Sequence, residues 1–203
     1  MTINSTRLRT LSLGCLLILF FYACGAHQPV TYYNLTSMPP EVRTAETSES
    51  QGAMAIGVGP VTLPEALSRD QIALRLDAQR LRYDDFHRWS SPLAEDFSEV
   101  LLDDLVARLP SHTAVALFPW GGFFQPTHRL VVNVTLFDGA LGGEVTLKAR
   151  WTVTNDTGKE TLFSRQSLIT VKVAGSQYQD LVTAQSQAVA ALSDEIVTAM
   201  SAR

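Results

Sequence analysis

The sequence predicts an α+β fold: an antiparallel sheet with two amphipathic helices packed on one face, made as a precursor behind an export signal. Three observations predict it. Between residues 129 and 173, three runs of alternating apolar and polar residues are separated by Gly- and Asp-rich turns. The stretches 91–110 and 176–200 carry apolar residues at helical spacing. The long apolar run Leu11–Tyr22 stands at the amino terminus behind Arg7 and Arg9, where it forms a signal rather than a core element.

That run is too short to cross a bilayer, which takes about 20 apolar residues, and it ends in the small residues Ala23-Cys24-Gly25. Residues 1–23 are therefore expected to be a signal peptide cleaved after Ala23. Cys24, placed directly after a small residue, is the expected site of lipid attachment, because its thiol is the nucleophile that takes a diacylglycerol. Phe21 and Tyr22 are bulkier than the Leu and Ala/Ser usual before such a cysteine. The competing reading is an ordinary signal-peptide cysteine without lipid. Cys15 leaves with the signal, so one of the two cysteines survives and no intramolecular disulfide forms. Cleavage also removes two of the 16 Lys and Arg but none of the 20 Asp and Glu, which moves the net charge from −4 to −6. An acidic chain with no Lys/Arg cluster is not expected to bind nucleic acid.

Residues 24–51 read as a flexible, lipidated tether. Met38-Pro39-Pro40 and the polar stretch Glu41–Gln51 offer little apolar surface to offset the entropy of ordering them. Fully extended, Gly25–Gln51 would reach about 90 Å. Tyr32-Tyr33-Asn34-Leu35 could still add an edge strand.

Residues 52–203 read as one domain. Met54, Ile56 and Val58 alternate with small residues over Ala53–Val61, and Gly59-Pro60 interrupts the ladder. After a loop at Leu63-Pro64-Glu65, Ile72, Leu74 and Leu76 form one arm of a hairpin, with Leu81 and Tyr83 on the other. Ser91 is expected to cap a helix with Pro92 at its first position and Glu95 and Asp96 at the positive end of its dipole. Leu93, Phe97, Leu101, Leu105 and Leu109 then fall four apart in one stripe, until Pro110 stops the helix. A short strand at Ala114–Phe118 leads into Trp120-Gly121-Gly122-Phe123-Phe124, a loop that serves either as an exposed contact surface or as cover for one end of the core. Arg129–Asp138, Glu144–Thr154 and Glu160–Val173 form an antiparallel meander. Ser176 and Gln179 have capping-box spacing before a second helix whose apolar face is Tyr178, Leu181, Val182, Val189, Leu192, Ile196 and Met200. Helices on one side of an antiparallel sheet give an α+β layer fold.

Chemistry-bearing motifs are sparse. No nucleophile elbow, phosphate-binding loop or paired-histidine zinc motif occurs, and His27, His87, His112 and His128 are scattered. Asp84-Asp85, Asp103-Asp104 and Asp194-Glu195 are adjacent pairs whose side chains diverge, so solvated faces are expected rather than acid–base dyads. No catalytic residue, metal site or cofactor is predicted, and an enzyme is not expected.

Taken in order, Tyr32-Tyr33-x-Leu35, Val58-Gly59-Pro60-Val61-x-Leu63-Pro64, Arg69-x-Gln71-Ile72, Arg75, Arg88-Trp89-x-x-Pro92-Leu93 with Phe97 and Leu101, and the terminal Leu192-Ser193-x-Glu195-Ile196 resemble the ABC-type transport auxiliary lipoproteins, the family that includes the paraquat-inducible protein C lipoproteins. The chain departs from the usual Tyr-Leu-Asp-Arg-Pro-Gln of that family at Ala66–Gln71. The resemblance implies an accessory lipoprotein on the periplasmic face of the outer membrane. Such a protein docks the MCE-type substrate-binding component of an ABC transporter that moves lipid between membranes. A homo-oligomer is compatible with that role, and Gly25 after the cysteine agrees with outer-membrane sorting. Leu63, Pro64, Arg69, Gln71, Arg88 and Trp89 are the candidate partner-binding residues, each with a structural alternative: Pro64 as a turn former, Trp89 as a plug between sheet and helix, Arg88 as the partner of a helix carboxylate. The alternative function is a periplasmic adaptor that regulates a cell-wall or envelope-assembly enzyme; an envelope hydrolase ranks below both.

Overall fold

The computed structural model describes residues 28–38 and 54–202. The expected signal peptide, Cys24 and residues 39–53 lie outside the described residues. In chain order the elements are β1 (Thr31–Tyr33), β2 (Ala55–Thr62), a short 3-10 turn (Glu65–Leu67), β3 (Gln71–Arg75), β4 (Leu81–Trp89), α1 (Leu93–Arg108), β5 (Ala114–Leu117), β6 (His128–Gly139), β7 (Glu144–Asn155), β8 (Thr161–Lys172) and α2 (Tyr178–Ser201). None of the described helices is long and apolar enough to cross a membrane.

The meander predicted from alternation is present: β6 pairs antiparallel with β7, and β7 with β8, over nearly their whole lengths. Its inner face is Leu130, Val132 and Val134 on β6 and Val145, Leu147, Ala149, Trp151 and Val153 on β7, all buried. A bulge between Val134 and Leu136 shifts the parity of β6, which brings Phe137 to the same inner face. The predicted β3–β4 hairpin also forms, with Arg75 opposite Leu81.

The α+β class holds, but the sheet is mixed rather than purely antiparallel. β2 runs parallel to both β5 and β6, β3 runs parallel to β6, and β1 runs parallel to β4. The reason lies in the connections. β7 occupies one edge of β6 throughout, so β2, beside His128–Asn133, and β3, whose Leu74 meets Gly139, lie end to end along the other edge. The turn at Glu65–Leu67 passes the chain forward without reversing it. Alternation identifies a strand and its buried face, not its neighbour, so these parallel pairings could not be read locally.

Both helices lie on the inner face. The α1 stripe is buried as expected, from Leu93 at 3 % exposure to Leu109 at 8 %, and Phe97 meets Phe137 edge-on at 5.3 Å. The capping predictions need correction. Pro92, not Ser91, is the residue before α1, it makes no side-chain cap, and its carbonyl accepts the N–H groups of Glu95 and Asp96. At α2 the capping box is Gln177 with Asp180, one residue beyond the Ser176/Gln179 pair, and the Gln177 N–H donates to Asp180 at 2.9 Å. The α2 face of Tyr178, Leu181, Val182, Val189, Leu192 and Ile196 is buried, and Met200 is half-buried against the core.

In the stretch read as a tether, the possible edge strand forms as β1, while the residues after it depart from prediction. Thr31–Met38 is docked: β1 adds to β4, and the residues after it bond to α1 and α2 in turn. Leu35, 2 % exposed, donates its N–H to Asp96 of α1 at 2.6 Å. Thr36 N–H donates to Ser186 of α2 at 3.1 Å, and Met38 N–H to Asp104 of α1 at 2.9 Å. The strap lies against Ser186, which α2 buries along with Val182 and Gln185.

Candidate functional site

Five of the six predicted contact residues gather where the β2–β3 connection meets the end of β4. Leu63 is half-buried against the core, and Pro64 precedes the 3-10 turn, accepting the Leu67 N–H at 2.9 Å. Pro64 therefore has the turn-forming role foreseen as its alternative. Arg69 is exposed, with its guanidinium 4.8 Å above the Tyr83 ring, while Tyr83 Oη donates to the Ala66 carbonyl at 3.0 Å and so braces the turn. Gln71 Nε2 donates to Asp85 at 3.2 Å. Arg88 pairs with Asp70 at 2.7 Å and donates Nε–H to the Asp85 carbonyl at 2.9 Å. Its partner is thus a loop carboxylate and not the helix carboxylate considered above. An exposed pair of this kind contributes no more than about 1 kcal/mol, so Arg88 remains available to exchange Asp70 for an outside acceptor.

Trp89 is different. It is 4 % exposed, sits in register with Tyr33 of β1, and donates its backbone N–H to the Asp70 carbonyl at 2.6 Å. It forms the floor of the patch and its indole is not offered to solvent. An aromatic residue at a strand end gives no local sign of which distant segment will pair beside it, and here β1 does. Arg75, part of the same motif series, is likewise structural: it grips Asp138 with two hydrogen bonds, Nε to Oδ1 at 2.9 Å, and fastens β3 to β6.

Two polar clusters escaped sequence reasoning. In the first, β4 bulges, since Gln71 faces Arg88 but Ala73 faces Tyr83. Asp84 in this bulge accepts from the Phe86 N–H at 2.9 Å and from Tyr178 Oη at 2.8 Å, and lies 3.0 Å from His87 Nδ1. His87 stacks on Tyr178 at 3.8 Å, with Tyr33 at 5.9 Å. Burial alone would raise the Asp84 carboxyl, but hydrogen bonds from His87, Tyr178 and Phe86 outweigh it and hold the group at about 2. Burial, and then the Asp84 carboxylate, push the Tyr178 hydroxyl up to about 12 and raise that of Tyr33. The expectation that Asp84-Asp85 is a solvated pair holds only for Asp85.

The second cluster holds the strap. Arg108, 8 % exposed, donates to Asp194 of α2 at 2.9 Å and to the Met38 carbonyl, the Asp104 carbonyl and Asp104 Oδ1, each at 3.1 Å. Burial raises Asp96 and Asp104 despite the N–H donors of Leu35 and Met38. The i, i+4 spacing of Asp104 and Arg108 was the available signal, but it cannot tell a buried clamp from an ordinary surface pair. Neither cluster pairs a nucleophile with a base, and among the described residues no group of three or more His, Cys, Asp and Glu is placed to hold a metal ion.

Comparison with known proteins bears on the fold and the family. The family profile described as "ABC-type transport auxiliary lipoprotein component" matches residues 33–197, most of the chain. The chain belongs to that family. Its members are transport auxiliary components, and the match begins within β1. Two crystal structures have the same fold. One is of an uncharacterized protein, with TM-score 0.69 and 22 % identity over 85 % of this chain and 99 % of that one. The other is of protein XCC0632 from Xanthomonas campestris, with TM-score 0.64 and 14 % identity over 82 % of this chain and 92 % of that one. No curated protein sequence matches significantly.

Proposed function

We propose that this protein is anchored to the periplasmic face of the outer membrane by lipid on Cys24, and docks the MCE-type periplasmic component of an ABC-type lipid transport system. The family match over residues 33–197 carries this reading. The signal-like first 23 residues and the small residues flanking Cys24 support the anchor. The role is binding rather than catalysis. Arg69, Gln71 and Arg88, with the apolar border of Leu63 and Pro64, form the docking patch, and Trp89 and Tyr83 hold it from behind. Arginines already oriented by a ring and a carboxylate lose less freedom when a partner arrives.

The test is affinity capture from a native envelope extract using the full-length, processed protein. The expected result is recovery of MCE-type and ABC transporter components. Changing Arg69→Ala together with Arg88→Ala should weaken capture at least about tenfold, since interface arginines commonly contribute more than 1 kcal/mol. Both side chains are surface-paired, so stability should fall by less than about 1.5 kcal/mol. Wild-type protein that brings down no transporter component would defeat the proposal. Undiminished capture by the double variant would move the patch elsewhere.

A further inference from the structure

The docked strap changes how far the domain can stand from its anchor. Only residues 25–30 separate Cys24 from β1, and seven peptide steps span at most about 25 Å in any conformation. Where the chain leaves the fold is set by the strand pairings. β1 runs parallel to β4, Thr31 beside His87 and Tyr33 beside Trp89, so the residues before Thr31 depart toward the start of β4 at Leu81. The β3–β4 turn, Leu76–Arg80, lies at that end. So does the β6–β7 turn, because Leu74 meets Gly139, and so does the start of α2, because Tyr178 stacks on His87. The Phe118–Pro126 loop lies at the other end: the Trp120 ring covers Gly57 and Thr127 N–H donates to Ala55, both near the start of β2, which pairs with the first residues of β6. Ten residues of β6 separate Arg129, beside Gly57, from Gly139, or about 33 Å of strand.

The end nearest the anchor carries exposed apolar groups. Three of the large hydrophobic side chains exposed among the described residues lie from the Thr31–His87 pairing toward the β3–β4 turn: Leu76 at 50 %, Phe86 at 39 % and Val30 at 37 %, while Tyr32, at 62 %, is level with Arg88 of the docking patch. Arg80, paired with Asp77 at 2.6 Å, and Arg82 are exposed beside them, with Asp85 as the neighbouring exposed acid. Aromatic and aliphatic tips among arginines suit the headgroup region of a bilayer, where rings sit at the boundary and guanidinium groups reach phosphate.

We infer that the β3–β4 turn, the Asp84–Phe86 bulge and the residues preceding β1 form a membrane-contacting face. Leu76 and Phe86 touch the phospholipid surface in which Cys24 is anchored. The Phe118–Pro126 loop and the free edge of β5 then point away from that membrane. The inference rests on Cys24 carrying lipid, and its test is separable from that question and from transporter docking.

The mature chain, in which Cys24 is the sole cysteine, is coupled through that thiol to a maleimide phospholipid in phosphatidylethanolamine vesicles with a minor phosphatidylglycerol fraction. Amide exchange is compared with that of the uncoupled protein. Exchange over residues 76–80 and 84–86 should slow at least fivefold on the vesicle, and exchange over 118–126 should not change. Lengthening the chain with a Gly/Ser insert after Gly25, or changing Leu76→Ser with Phe86→Ser, should reduce the protection by more than half. Unchanged exchange at 76–80 and 84–86, protection centred on 118–126, or protection that follows protein concentration in the absence of vesicles would each overturn the orientation. In cells, labelled palmitate reports separately on the anchor, and envelope capture on the partner.

Discussion

Replacing Leu35 by Ala tests whether the strap belongs to the folded domain. Leu35 is 2 % exposed and is joined to the body by its own N–H to Asp96, with the Thr36 and Met38 N–H groups bonded to Ser186 and Asp104 just beyond it. Removing a buried leucine side chain costs about 2–5 kcal/mol where the surroundings stay in place. Here there is a second way to respond, because the strap can lift off and solvate its three N–H groups. The measured loss therefore has a ceiling equal to the docking free energy of the strap, and about 2–3 kcal/mol is expected. For a domain of this size each kcal/mol is about 2–4 °C of melting temperature, so a fall of about 4–12 °C follows. Urea denaturation separates the two responses. If the strap stays docked, the m-value is unchanged; if it lifts, m falls with the stability, because less surface remains to be exposed on unfolding. A loss below about 0.5 kcal/mol with an unchanged m-value would show that Leu35 is not buried in solution. The short-spacer argument would fail with it.

Three further outcomes follow from the same physics. Gly57→Ala places a methyl group against the Trp120 indole, with Nε1 only 2.8 Å away, so the ring must leave its seat at a cost of about 1–3 kcal/mol. Because Trp89 and Trp151 are buried, a red shift in tryptophan emission would report Trp120, and unshifted emission would refute that packing. Asp84, held at about 2, contributes stability that is present above its unfolded value of 3.8 and is lost as pH falls through 2. Asp84→Asn should cost no more than about 2 kcal/mol at pH 7 once solvent screening is counted, and should flatten the stability profile between pH 4 and 2; an unaltered acid limb would remove Asp84 as its source. Asp96 and Asp104 titrate in the opposite sense. Burial raises both, so each carboxyl contributes stability that is present below 3.8 and declines as pH rises through its folded value. Asp96→Asn should therefore steepen the acid loss, which denaturation midpoints between pH 3 and 6 would check.

Much of this molecule was legible in its residues, because much of it is periodic. The spacing of Leu93, Phe97, Leu101, Leu105 and Leu109 can be satisfied only by a helix with one buried face. The alternation through Val145–Val153, bounded by Gly-rich turns, permits little besides an antiparallel hairpin. These are properties of near neighbours in the chain, and near neighbours decide them. The candidate contact residues Arg69, Gln71 and Arg88 come from the family resemblance, as charged and polar residues; Arg69 is exposed, and Gln71 and Arg88 are half-buried.

Tertiary structure decided what depends on contacts between distant parts of the chain. Thr31–Met38 has no local preference strong enough to order it, and its conformation comes from acceptors on Asp96, Asp104 and Ser186, which lie from 61 to 150 residues further along. The same segment pairs beside Trp89 and turns Arg108 from one half of a helical ion pair into a clamp on two helices and a strap. Parallel pairing of β2 with β5 and β6 belongs to this class as well. An N–H or carbonyl at a strand edge bonds whichever strand the packing of the helices delivers to it, and no pattern within the strand names that partner.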